Sequence, residues 1–209
     1  LPGGQDVVIE NDEVRLTLTA DGKTRGLLHK PTGQECLVQG FSAPIFALTE
    51  YRPYDPENML TYVAKTTTFP ANKVVREGDT LFVNFDRLDY TAVIALNITP
   101  YYIGFTLARL DYTLEDISQF KRVTEIDEFT LLQLPVKKRS TFGEWLNVVW
   151  DDEIAVNVLG TGPYTKVDSE VRDDHVLLLA GMETKIKLLN VGAALITTTK
   201  DKFLDYLAI

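Results

Sequence analysis

Cysteine is nearly absent from this sequence. Cys36 stands alone among 209 residues, which excludes an internal disulfide framework and any cysteine-built zinc site. Histidine is almost as scarce: His29 and His175 are the only two, and neither has a second histidine at i+3 or i+4, so zinc spacing is missing as well. Positive charge is in deficit, with 21 Lys and Arg against 30 Asp and Glu, a net charge of −9 and a pI near 4.8. That balance argues against a surface that tracks nucleic-acid phosphates and against binding to an anionic membrane. No apolar run approaches the roughly 20 residues of a membrane span. Catalytic signatures are lacking too. There is no Gly-x-Ser-x-Gly elbow and no glycine-rich phosphate loop ahead of a helix. Gly160-Thr161-Gly162-Pro163 resembles such a loop superficially, but it leads into Tyr164 and further strand and reads as a turn.

What is present is the composition of a globular protein, 45% hydrophobic and 24% charged. That much apolar surface offsets chain entropy, so disorder is excluded as the main state. A chain of this length can bury roughly 70% of the surface its unfolded form exposes. Val, Ile, Thr and the aromatics make up roughly a third of the residues, a tilt toward sheet. Period-two alternation recurs in Val14–Thr19, in Leu81, Val83 and Phe85, in Ala92, Ile94, Leu96 and Ile98, and in Ile154, Val156 and Val158. The segments 175–180 and 191–196 are continuously apolar and read as strands buried on both faces.

Turn signals fall between these runs. Asp21-Gly22, Glu77-Gly78-Asp79 and Arg172-Asp173-Asp174 each mark a hairpin tip. Thr99-Pro100 divides two long strands, because proline cannot donate to a central ladder. Only Leu114–Phe120 and the C-terminal segment have helical spacing, the latter placing Phe203, Leu204 and Leu207 on one face. The expected organisation is all-β, a large antiparallel β-sandwich over residues 1–199 followed by a short C-terminal helix at 200–209. That helix stops without a cap, as it would at the start of a linker to a downstream domain. The opening Leu1-Pro2-Gly3-Gly4 lacks an initiator Met, as a removed secretory signal or simple trimming would leave it. Tyr51–Asn58, with two prolines and two tyrosines, is expected to be a long surface loop.

Several side chains are candidates for chemistry. His175 opens a strand after two aspartates, where an exposed residue is the plain expectation. Cys36 has no activating neighbour in sequence and reads as a small buried hydrophobe. Trp150-Asp151-Asp152-Glu153 is the most concentrated acidic run. It fits a solvated turn between two strands, a calcium site, or hydroxyl acceptors beside an aromatic plate. Trp145, Trp150 and Tyr164 are large aromatics that serve the core as readily as a ligand. Asn97-Ile98-Thr99 matches a glycosylation acceptor, a signal common by chance.

The opening segment runs Val8-Ile9-Glu10-Asn11-Asp12-Glu13-Val14-Arg15-Leu16-Thr17-Leu18, then Gly26-Leu27-Leu28 and Lys30-Pro31-Thr32-Gly33-Gln34-Glu35. Over residues 7–35 this resembles the start of the galactose-mutarotase-like β-sandwich domains of bacterial polysaccharide-degrading enzymes. There an E-N-x-x-V/L-R-L strand pairs with one ending near K-x-T-G-x-E. The resemblance implies a supersandwich standing N-terminal to the catalytic domain of a secreted or periplasmic glycoside hydrolase or polysaccharide lyase. The partners it implies are that downstream domain and carbohydrate. Free-standing mutarotases of this fold work with paired histidines and a glutamate, and their histidine motifs have no match here. The expectation is therefore a non-catalytic domain without cofactor or metal. Loops 51–58 and 145–153 are the best placed to reach a neighbouring cleft, and Trp145, Trp150, Asp151 and Asp152 are the candidate carbohydrate contacts. A stand-alone carbohydrate-binding module and a sugar epimerase with an atypical acid–base pair are the alternatives.

Overall fold

The computed structural model describes residues 4–52, 65–85, 88–112, 125–183 and 191–199. Among these, 69% lie in strands and none in a helix. The strands form two antiparallel sheets.

The smaller sheet is a meander of β1 (Val7–Glu10), β2 (Val14–Leu18), β3 (Thr24–His29) and β4 (Gln34–Glu35). Between β1 and β2 the chain folds back on itself at Asn11. The Asn11 side-chain oxygen accepts the N–H groups of Glu13 at 2.9 Å and Val14 at 2.8 Å. This local turn competes successfully with continued extension, and Ile9 comes to lie opposite Leu16.

The larger sheet has twelve strands. In chain order they are β5 (Ala47–Arg52), β6 (Lys65–Glu77), β7 (Thr80–Phe85), β8 (Leu88–Ile98), β9 (Ile103–Tyr112), β10 (Glu125–Lys137), β11 (Thr141–Gly143), β12 (Val148–Trp150), β13 (Ile154–Gly160), β14 (Lys166–Val171), β15 (His175–Glu183) and β16 (Gly192–Thr199). Across the sheet the order is β11-β12-β13-β16-β9-β8-β7-β6-β5-β10-β15-β14. A flat sheet of that width would leave one face wet, and this one curls instead. Strand β6 carries the bend. Residues 65–70 pair with β5, residues 71–77 pair with β7, and the register shifts between Ala71 and Lys73. Pro70 stands at the changeover, where a missing N–H costs least. The curl brings Phe85 of β7 edge-on to Phe129 of β10, ring centroids 5.9 Å apart.

The smaller sheet closes onto this curl. Gly22, with φ 78°, turns β2 into β3 and packs so tightly that a Cβ there would lie 2.9 Å from Ala71 and from Val74. Beside it, the Val74 N–H donates to Ala20 O at 2.8 Å and the Ile45 N–H to Gly22 O at 2.9 Å. One hydrophobic core runs through both sheets. Val14, Leu16, Leu18, Leu81, Val83, Phe85, Ile94, Leu96, Ile154 and Val156, expected inside from their alternation, are all buried. Each such leucine or phenylalanine withdrawn from water contributes about 1.5–3 kcal/mol. β15 is nearly continuously buried over 175–180 and β16 over 192–195, in keeping with their unbroken apolar runs.

The expected hairpin tips fall between consecutive strands at Asp21-Gly22, Gly78-Asp79, Thr99-Pro100 and Arg172–Asp174, with Glu77 closing β6. Tyr51 and Arg52 do not open a loop but complete β5, paired with Thr66 and Lys65. The rest of that expected loop and the helices expected at 114–120 and 200–209 lie outside the described residues.

Candidate functional site

The four candidate contacts flank one short strand, β12. At its start the chain leaves β11 through Glu144-Trp145-Leu146-Asn147. Asn147 makes this turn possible. Its φ is 50°, a left-handed conformation that asparagine tolerates better than most residues. Its N–H donates to Glu144 O at 3.1 Å, closing the turn. The buried side-chain amide donates to Val158 O at 3.0 Å and to Leu179 O at 3.3 Å, tying the turn to β13 and β15. Asn157 in turn donates to Leu146 O at 2.5 Å and Asn147 O at 3.1 Å. On this anchored backbone Trp145 is 95% exposed and Leu146 57% exposed. A tryptophan carries up to about 250 Å² of contact surface, and here nearly all of it faces water on a turn held by hydrogen bonds.

The other end of β12 is arranged differently. Trp150 is half-buried and pairs with Thr141 and Ala155. Its ring lies over Gly143, where a Cβ would approach it to 3.1 Å. Asp151 is the pivot of the following turn. Its Oδ1 accepts the N–H groups of Glu153 at 2.9 Å and Ile154 at 3.0 Å. Its Oδ2 accepts from Arg139 at 2.5 Å, and the Arg139 side chain is only 7% exposed. Burial pushes the Asp151 carboxyl up, but the hydrogen bonds from Ile154, Glu153 and Arg139 outweigh it and hold the carboxyl below its ordinary value. Arg139 also donates to Gln34 Oε1 at 3.4 Å, and Gln34 donates to Glu153. The acidic run is therefore stitched to β4 of the smaller sheet.

The structure thus keeps Trp150, Asp151 and Asp152 together and sets Trp145 apart at the opposite end of the strand. Asp151 has one oxygen engaged by the turn and the other by Arg139. Asp152 stays exposed beside it. Among the described residues, no group of three or more His, Cys, Asp or Glu is arranged to hold a metal ion.

Both histidines are engaged structurally. His29 is fully buried at the end of β3, its Nδ1 2.9 Å from Thr197 Oγ1 on β16. His175 is not the exposed residue its sequence neighbours suggest; it is 7% exposed. Its Nδ1 lies 2.7 Å from Asp174, and its ring stacks on Phe41 with centroids 4.8 Å apart. The hydrogen bond from His175 holds the Asp174 carboxyl below its ordinary value. Cys36 is buried as expected, and burial raises its thiol pKa against the opposing pull of Arg139. Tyr164 is exposed rather than in the core.

A second feature left no mark on the sequence reading. A groove of about 350 Å³ lies between the β2–β3 hairpin and the segment joining β4 to β5, lined in part by Thr19, Arg25, Gln39, Phe41 and Ser42. No pattern signals it, because it is assembled from two segments that are separate in sequence.

Compared with models of known protein families the chain matches none, and no curated protein matches it in sequence.

Proposed function

We propose that this chain is a non-catalytic β-domain of a carbohydrate-active enzyme, acting beside a catalytic domain of the same polypeptide and contacting glycan through the Trp145 hairpin. In this reading the curled sheet and its small companion form a supersandwich of the galactose-mutarotase-like kind. The parent is a glycoside hydrolase exported to the periplasm or beyond the cell. The observation that carries the proposal is Trp145, 95% exposed on a turn held by five hydrogen-bonding contacts through Asn147 and Asn157. A flat apolar ring fixed in water suits the C–H face of a sugar, and rigidity lowers the ordering cost of binding.

The non-catalytic part of the proposal rests on how the titratable groups are used. His29 is packed between the sheets, His175 is clamped by Asp174 and Phe41, and Asp151 holds a turn. Acid–base chemistry needs groups within reach of a substrate and free to exchange a proton. Titration calorimetry of the chain against a panel of soluble oligosaccharides tests the reading. Binding that is weakened in Trp145→Ala supports it; hydrolysis or mutarotation by residues 1–209 alone, lost on mutating Asp151 or Asp152, overturns it.

A further inference from the structure

The groove between the β2–β3 hairpin and segment 37–43 has the attributes of a binding site and shares no lining residue with the Trp145 hairpin. Its outer wall is held in place at both ends. The Val38 N–H donates to Pro135 O at 2.9 Å, and Leu37 bridges Val136 on β10. At the far end Thr24 and Ala43 exchange hydrogen bonds, Thr24 N–H to Ala43 O at 2.8 Å and Ala43 N–H to Thr24 Oγ1 at 3.1 Å, while Ser42 Oγ donates to Thr24 O at 2.7 Å. Phe41 remains 46% exposed although its ring is stacked on His175, which Asp174 clamps in turn. The aromatic wall is therefore preformed rather than recruited by a ligand.

The polar lining indicates what the groove would take. The Arg25 guanidinium is already paired with Asp6 at 2.5 Å, which cancels its charge but leaves other N–H donors. Near Thr19, Lys23 and Asp21 pair at 3.0 Å. Ser42 uses its one donor on Thr24 and keeps its lone pairs. Gln39 is exposed and makes no hydrogen bond among the described residues. Of the groove's lining residues Arg25 alone is charged, and Asp6 already pairs with it, so the lining offers neither an anion nor a cation an unpaired counter-charge. An uncharged ligand with hydroxyls on its rim and a C–H face for Phe41 needs none. The volume falls at the low end of small-molecule sites, suited to one or two ring-sized units.

We propose that this groove is a subsite for one neutral pyranose unit, stacked on Phe41 and hydrogen-bonded by Gln39, Arg25 and Ser42. The choice of a sugar among neutral polyhydroxylated ligands rests on the reading given above, but the site itself does not depend on Trp145. The test is an amide-resolved NMR titration of the whole chain with neutral gluco-, galacto-, manno- and xylo-oligosaccharides, and with glucuronate and inorganic phosphate as anionic probes. The expected result is saturable shifts confined to residues 19–25 and 37–43 with at least one neutral sugar, and weaker or no response to the anions. Phe41→Ala is expected to weaken that response about tenfold, whereas Trp145→Ala leaves it unchanged. Gln39→Ala, at an exposed position without hydrogen bonds among the described residues, serves as the second variant should Phe41→Ala fail to fold, with an expected loss of several-fold. Shifts confined to 144–147 would overturn the groove while sparing the Trp145 reading. Shifts in the groove that survive Trp145→Ala, with none at 144–147, uphold the groove and sink that reading. Tighter binding of phosphate than of any sugar, or wild-type binding by a folded Phe41→Ala, contradicts the proposal.

Discussion

β12 is three residues long, and the turns at its two ends have opposite characters. At one end Trp145 stands almost wholly in water, on a turn whose hydrogen bonds come from Asn147 and Asn157 rather than from itself. At the other end Trp150 covers Gly143, and Asp151 spends both oxygens on a turn and on Arg139. One end displays a side chain; the other consumes its side chains in holding the sheet. Composition alone cannot separate them, since each pairs a tryptophan with acidic neighbours. What separates them is where the polar groups find partners. A group already satisfied within the fold has little left to offer a ligand.

The comparison can be broken from either side, and the largest effect is expected at the anchor of the exposed end. Asn147→Ala removes two buried amide bonds and leaves a Cβ-bearing residue in left-handed backbone without compensation. A loss of about 3 kcal/mol in urea unfolding is expected. Asn147→Gly relieves the backbone cost and should recover about 1 kcal/mol of that loss. Equal effects of the two variants would show that the conformation at 147 is not the constraint.

Next comes Arg139→Ala at the other end. It strips Asp151 of its cation, and a loss of about 2 kcal/mol is expected, less than for a fully buried pair because Asp151 is partly solvated. Unfolding midpoints in urea measure it. A change under about 0.5 kcal/mol would mean that the pair contributes no more than an ordinary surface bridge.

Asp151→Asn should cost about 1 kcal/mol at neutral pH, and its pH dependence is the sharper readout. The carboxyl sits below its ordinary value in the folded chain. Its stabilisation is therefore fully present above the unfolded value of about 3.9, and it is lost as pH falls through the folded value. The gap between wild type and Asp151→Asn should be widest near neutrality and close below about pH 4. A gap that widens on acidification contradicts this role for Asp151.

The smallest stability effect is expected at the residue given the largest functional one. Trp145→Ala should change unfolding free energy by less than about 0.5 kcal/mol, because the ring touches little of the fold. A loss of more than about 1 kcal/mol would place Trp145 in the packing and remove the argument from exposure.

Much of the fold was legible because it follows from period-two burial. Leu81, Val83 and Phe85 alternate in sequence and point into one core in the structure. Turns built on glycine or proline were equally plain, since Gly22 and Gly78 need the positive φ that their sequences advertise. What escaped depended on side-chain bonds between distant segments. Asn11 turns the chain between β1 and β2 through side-chain hydrogen bonds that no hydropathy pattern records. His175 follows two aspartates yet is buried, because Phe41, far away in sequence, stacks upon it. The division of the candidate site had the same cause: Arg139 and Gln34 claim the acidic run from outside it. The groove was invisible for this reason too, since Thr19 and Phe41 meet only through the closure of the smaller sheet on the larger.

The two tryptophans permit a direct measurement of the central claim that β12 has one end for contact and one for structure. Trp150→Phe leaves Trp145 as the sole indole, and Trp145→Phe leaves Trp150. Emission from each single-tryptophan variant is followed while the oligosaccharide panel is added. The account predicts that Trp145 emission is red-shifted in the free protein and changes saturably with sugar, whereas Trp150 emission is blue-shifted and silent. A saturable response from Trp150 with none from Trp145, or no response from either across the panel, would contradict it.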